Sequence, residues 1–203
     1  MKKIIVSILA LVALALPSAA QFRWGPEASV DLNGLNFKQD LFTVDQAVGF
    51  SAGVKGEMMF PGIGFGLDLG LRYQQRGGIL HLGEREIWSS QGYGTNRLYL
   101  HQLDIPFHLK FKYTRLGGLE ETIAPYLFVG PTFTFTVAKN KLDCVKTAGG
   151  EIGLQFGLGA EIKRRWQVSA SYNIGMTYSF KMDQLANVSA RNRTWDLAVA
   201  YLF

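Results

Sequence analysis

The chain has one cysteine, Cys144, which excludes a disulfide within the molecule and any cysteine-built metal site. Its three histidines, His81, His101 and His108, are scattered, and its carboxylates do not follow the spacing of a calcium loop. No metal and no other cofactor is expected. Beyond residue 20, no apolar run approaches the roughly 20 residues that a membrane-crossing helix needs. Charge of one sign is also scarce. With 21 basic residues against 16 acidic ones, the balance does not argue for a nucleic-acid partner.

Residues 1–20 have a different character. Lys2 and Lys3 precede an apolar run over 4–16, which is followed by Pro17, Ser18, Ala19 and Ala20. A basic start, a short apolar stretch and small residues at the boundary are the layout of an export signal. The apolar run, about 13 residues, is too short for an anchor helix. Residues 1–20 are therefore expected to be a signal peptide and 21–203 one folded domain, a length that suits a single domain. No cysteine stands at the junction, which argues against lipid attachment. Removing Lys2 and Lys3 from the 21 bases leaves 19 against 16 acids, and export itself argues against nucleic acid.

What the remaining sequence has is alternation. Over 98–113, Tyr99, His101, Leu103, Ile105, Phe107, Leu109, Phe111 and Tyr113 form one set. Gln102, Asp104, Pro106, His108, Lys110 and Lys112 fall in the other. Successive strand side chains point to opposite faces, so one face is apolar with aromatic ends and the other turns polar. Residues 124–137 repeat the pattern, as do 24–33, 47–60, 63–76, 150–163, 166–179 and a final strand through Trp195 to Phe203. The connections after the first, third, fifth and seventh of these are long and polar. Those after the second and sixth are two or three residues, and the one after the fourth is intermediate. Even strand number, short turns at one end and longer loops at the other describe a bacterial outer-membrane barrel. The predicted fold is all-β: an eight-stranded antiparallel up-and-down transmembrane β-barrel, with both termini periplasmic in a Gram-negative cell.

A soluble barrel of lipocalin type shows the same alternation with its apolar face inside. The polar face decides between the two. It is crowded with Gly, Ser, Thr and Ala, which suit the narrow interior of eight strands, whereas a solvated surface would carry long Lys and Glu. Aromatics also gather at both ends of the apolar band, as at membrane interfaces. The interior is then expected to hold a paired polar network that includes Asp68, Arg72, Asp104, His108, Lys110, Glu151 and Glu161. Such a network seals the barrel; the competing reading is a narrow ion path. Pro106 and Pro131 fall within strands and predict a bulge or a missing ladder bond near each.

Catalysis is not expected, and no catalytic residue is assigned. A serine hydrolase needs its three groups to meet in space. Yet His81 falls in a loop, His101 on the lipid face and His108 inside, and no nucleophile elbow is expected. A lipid- or peptide-hydrolysing barrel enzyme is the alternative. The outer loops are the candidate binding surface. Residues 77–96 form the longest, bearing Trp88 and Tyr93 beside Glu84 and Arg85, with residues 181–193 as a second contributor.

The motifs Leu103-Asp104-Ile105-Pro106 followed by Leu109-Lys110, and Pro125-Tyr126-Leu127-Phe128-Val129-Gly130-Pro131, resemble the PorT-like outer-membrane β-barrel family of Bacteroides-type bacteria. So do residues 153–159 and the terminal Tyr201-Leu202-Phe203. The resemblance spans nearly all of 21–203. It implies the eight-stranded barrel but no single activity, since the namesake acts in protein secretion and gliding. The expected partners are outer-membrane lipid, the insertion machinery reading Tyr201 and Phe203 during assembly, and a protein or glycan at the outer loops.

Overall fold

The structure is a computed structural model and describes residues 21–37, 44–60, 64–82, 94–113, 121–139, 145–147, 149–177, 180–182 and 189–203. Its strands are β1 (Gln21–Phe37), β2 (Val44–Met59), β3 (Phe65–Leu82), β4 (Gly94–Lys112), β5 (Ile123–Lys139) and β6 (Val145–Thr147). They continue as β7 (Gly150–Ile162), β8 (Trp166–Gly175), β9 (Phe180–Met182) and β10 (Ser189–Tyr201). Eight of them make the wall in the order β1-β2-β3-β4-β5-β7-β8-β10, every neighbouring pair antiparallel. β10 returns to β1, pairing from Glu27↔Ala200 to Phe37↔Ala190, so the wall has no open edge. Closure gives each strand a ladder partner on both sides, the condition lipid imposes on any spanning sheet.

The two faces divide as the alternation predicts, with the polar set inside. Leu69, Leu127, Leu158 and Leu197 point outward at 56–67 % exposure, while Glu57, Asp104 and Lys110 are fully buried. A soluble barrel would reverse this. The interior has room for its side chains partly because glycine stands opposite the largest of them. Phe128 faces Gly157 and Tyr126 faces Gly159 across β5 and β7. A Cβ at Gly157 would lie 2.6 Å from Phe128 Cζ, and one at Gly159 would lie 2.5 Å from Tyr126 Cζ.

The strands run further than their periodicity indicated. β3 and β4 stay paired from Gly77↔Tyr99 to Leu82↔Gly94, so much of the expected 77–96 loop is hairpin and His81 lies in a strand. The paired glycines Gly77 and Gly78 interrupt the apolar pattern there without interrupting the ladder. Two three-residue strands, β6 and β9, were not foreseen. β9 pairs antiparallel with the start of β10 through Ser189↔Lys181 and Ala190↔Phe180, and β6 pairs with β9. At such a length there is no period to read. The strand expected over 166–179 ends earlier, at Gly175. Just beyond, the chain still follows β7 in register, Met176 N donating to Ile152 O (2.8 Å) and Ile152 N to Thr177 Oγ1 (2.9 Å).

Around Pro106 the outcome is a missing stretch of ladder and not a bulge. β3–β4 pairing stops at Leu69↔Phe107 and resumes at Arg72↔Asp104 in the same register. β4–β5 pairing passes from Pro106↔Thr132 to Leu109↔Val129, omitting the rungs at Pro131 and Gly130, also without a shift. The irregularities in register lie elsewhere, near His101 and between Gln46 and Phe50.

One end of the barrel gathers Gln21, Phe203 and the connections 60–64, 113–122 and 163–165; the remaining connections lie at the other end. The 163–165 turn is tight, closed by Arg165 N donating to Ile162 O (3.2 Å). Lys163 (φ 50°) and Arg164 (φ 58°) both take left-handed backbone, which two-residue hairpins require but which normally selects Asn and Gly.

Candidate functional site

The strands aim one polar set at the barrel axis, and there cations and carboxylates alternate. Near the terminal end Lys112 Nζ lies 2.9 Å from Glu57 and 2.6 Å from Glu161, and Arg23 bridges the same two carboxylates. Lys110 Nζ follows, 2.6 Å from Glu57 and 2.8 Å from Asp68. Lys55 continues from Asp68 (3.2 Å) to Glu27 (3.5 Å), and Arg72 from Glu27 (3.3 Å) to Asp104 (2.6 Å). Neutral groups extend the chain. Thr134 Oγ1 donates to Asp104 (2.7 Å), Gln155 Nε2 to Asp196 (3.3 Å) and Gln74 Nε2 to Asp31 (3.0 Å). Desolvating this many charges is costly, and only shared partners with good geometry offset it. Each linking carboxylate meets at least two cations, so charge is shared along the network and no one pair carries it alone.

Of the interior residues singled out from sequence, Asp68, Arg72, Asp104, Lys110 and Glu161 join this network. His108 sits beside it, its ring 5.0 Å from Phe128. Glu151 stands apart and accepts a hydrogen bond from Asn192 Nδ2 (3.2 Å). Arg23 escaped the sequence reading because the first strand was begun at Trp24. Continuing the alternation back through Phe22, which points outward, would have placed Arg23 inside.

Little space is left. A void of about 20 Å³ persists between Glu27, Lys55, Asp68, Arg72 and His108, room for about one water. Among the described residues no group of three His, Cys, Asp or Glu side chains is arranged to hold a metal. Gly49-Phe50-Ser51-Ala52-Gly53 does spell the spacing of a nucleophile elbow. It lies in the middle of β2, though, and not at a strand-to-helix turn. Ser51 is buried and its Oγ shares a hydrogen bond with Ser29 Oγ (2.6 Å), with no histidine in the arrangement. His101 faces outward, its Nδ1 2.5 Å from the Tyr73 hydroxyl.

The ends differ in what they offer. Trp88, Tyr93, Glu84 and Arg85 fall within 83–93, outside the described residues. At the terminal end Tyr201 packs edge-on against Trp166 (4.9 Å) and accepts from Arg165 Nη1 (3.1 Å). Phe203 packs on Trp24 (5.6 Å) while its N donates to Trp24 O (2.8 Å).

No curated protein matches the sequence. Among solved structures, the fold is similar to the outer membrane protein OprG from Pseudomonas aeruginosa, with TM-score 0.51, 12% identity and coverage of 91% of this chain and 96% of that one. It is similar also to Neisserial surface protein A, with TM-score 0.50, 13% identity and coverage of 92% and 100%. At such identity the likeness is one of fold, that of small outer-membrane barrels. Residues 6–203 match a family described as the outer membrane protein beta-barrel domain, and the closed, inside-out barrel built by this chain belongs to that family.

Proposed function

We propose that the chain is a non-catalytic outer-membrane barrel whose wall and sealed core hold up a recognition surface at the end away from the termini, where it binds a protein or glycan. The observation that carries this reading is the filled interior. With ion pairs across the axis and a void of one water, the two ends are the surfaces left for specific contact. The termini share one end with the two shortest connections between wall strands, 60–64 and 163–165, which supports placing that end in the periplasm. Within its family we read the chain as PorT-like, on the Leu103–Pro106 and Pro125–Pro131 motifs. Outer-membrane lipid surrounds the apolar band, and the insertion machinery reads Tyr201 and Phe203.

Replacing residues 83–93, which carry Trp88 and Tyr93, by a two-residue turn tests the reading. Surface crosslinking in intact cells is the measurement. The shortened barrel should fold, because β3 and β4 are already paired up to Leu82↔Gly94. The crosslinked partner should be lost. A partner that persists would move recognition to the periplasmic end and favour a secretion role.

A further inference from the structure

An apolar groove of about 430 Å³ runs along the outside of the barrel, lined by Leu109, Phe111, Leu127, Val129, Phe156 and Leu158, with no polar side chain among its walls. It lies toward the terminal end. Between it and the 163–165 turn, the outward pairs on β5 and β7 are Pro125 opposite Ala160 and then Ile123 opposite Ile162, so the surface stays apolar up to the turn. The path from Leu158 to Lys163 is roughly 16 Å at about 3.3 Å per residue.

The turn at the end of that path is unusual for its charge. Lys163, Arg164 and Arg165 are consecutive and exposed, and the first two occupy left-handed backbone that Asn and Gly would fill with less strain. Arg165 is held by Tyr201, but the other two side chains are little engaged. Arg164 reaches Glu121 (3.0 Å) in a pair exposed on both sides, which contributes little, and Lys163 has no side-chain partner among the described residues. Basic residues at two strained positions point to a ligand that needs the charge. Trp166 and Tyr201 flank it at the aromatic rim, where headgroups lie.

We propose that this face binds one anionic glycerophospholipid, its phosphate at Lys163 and Arg164 and an acyl chain in the groove between β5 and β7. The site lies on the lipid-facing surface and is independent of whatever the far loops recognise. It rests on the chain's placement in a bilayer, which the need for detergent checks separately.

The test uses the purified protein, exchanged into mixed phosphatidylglycerol and phosphatidylethanolamine and examined by native mass spectrometry. Phosphatidylglycerol should be retained in preference by roughly tenfold or more, as two basic residues beside an anionic headgroup imply. Lys163→Asn/Arg164→Gly should fold at least as well, since it suits the turn, yet lose the preference. Phosphatidylglycerol carrying a photoreactive group midway along its chain should label Leu127 and Leu158 above other outward positions, a readout that needs no variant. Equal retention of the two lipids, a preference that survives in the double variant, or labelling spread evenly around the barrel would each overturn the proposal. Displacement of the lipid by inorganic phosphate alone would overturn the acyl-chain half of it.

Discussion

The ammonium of Lys110 lies 2.6 Å from Glu57 at the heart of the barrel, and neither side chain has any solvent exposure. The pair is not isolated, because Glu57 also meets Lys112 and Arg23, and Lys110 also meets Asp68. Such a pair adds little stability over a well-packed apolar one, but breaking it thins the cations around Glu57 and Asp68 where no water can replace them.

Lys110→Ala leaves Glu57 with Lys112 and Arg23 and Asp68 with Lys55, so it should destabilise the folded barrel by about 1.5–3 kcal/mol, the usual worth of hydrogen bonds to charged groups. Asp104→Ala, which leaves Arg72 with Glu27 and the neutral Gln155, should act in the same direction. Urea unfolding in lipid vesicles or detergent micelles gives the values. A loss within about 1 kcal/mol, typical of exposed pairs, would mean that water enters the core.

The period of two made most of this legible. Once alternate residues are separated, the inward position of Asp68, Arg72, Asp104 and Lys110 follows from the chain alone, because a closed wall of eight strands has only two faces. What the alternation cannot carry is which inward residue meets which. That depends on barrel stagger, and so Glu151 fell to Asn192 while Arg23 reached across to Glu161. The strand ends were also hidden. Gly77 and Gly78 break the apolar pattern while the backbone ladder runs on, and β6 and β9 are too short to show a period.

Asp31 and Asp196 face each other directly across the closing β1–β10 seam, both buried, with Gln74 Nε2 donating to each at 3.0 and 3.5 Å. Like charges directly opposite on neighbouring strands are destabilising. Asp196→Asn keeps an acceptor for Gln155 and removes one charge, so it should raise stability by up to about 1 kcal/mol. Unfolding under the same conditions measures this. A destabilised variant would show that both carboxylates are needed to balance Arg72 and its neighbours.

Phe203 joins the seam from its end through Trp24, by ring contact and a backbone hydrogen bond. Deleting it should lower the heat-modifiable, folded fraction in cells while export of the chain stays unchanged. Equal folded yields would show that Tyr201 and the buried Leu202 suffice for assembly.

The central claim is that paired charges seal the barrel, and planar-bilayer recording of the reconstituted protein tests it most directly. Ion pairs across the axis from Glu161 to Asp104, with a void of about 20 Å³ among them, predict no steady conductance. Stable, ion-selective channel currents would contradict the sealed core and make the interior itself the functional site.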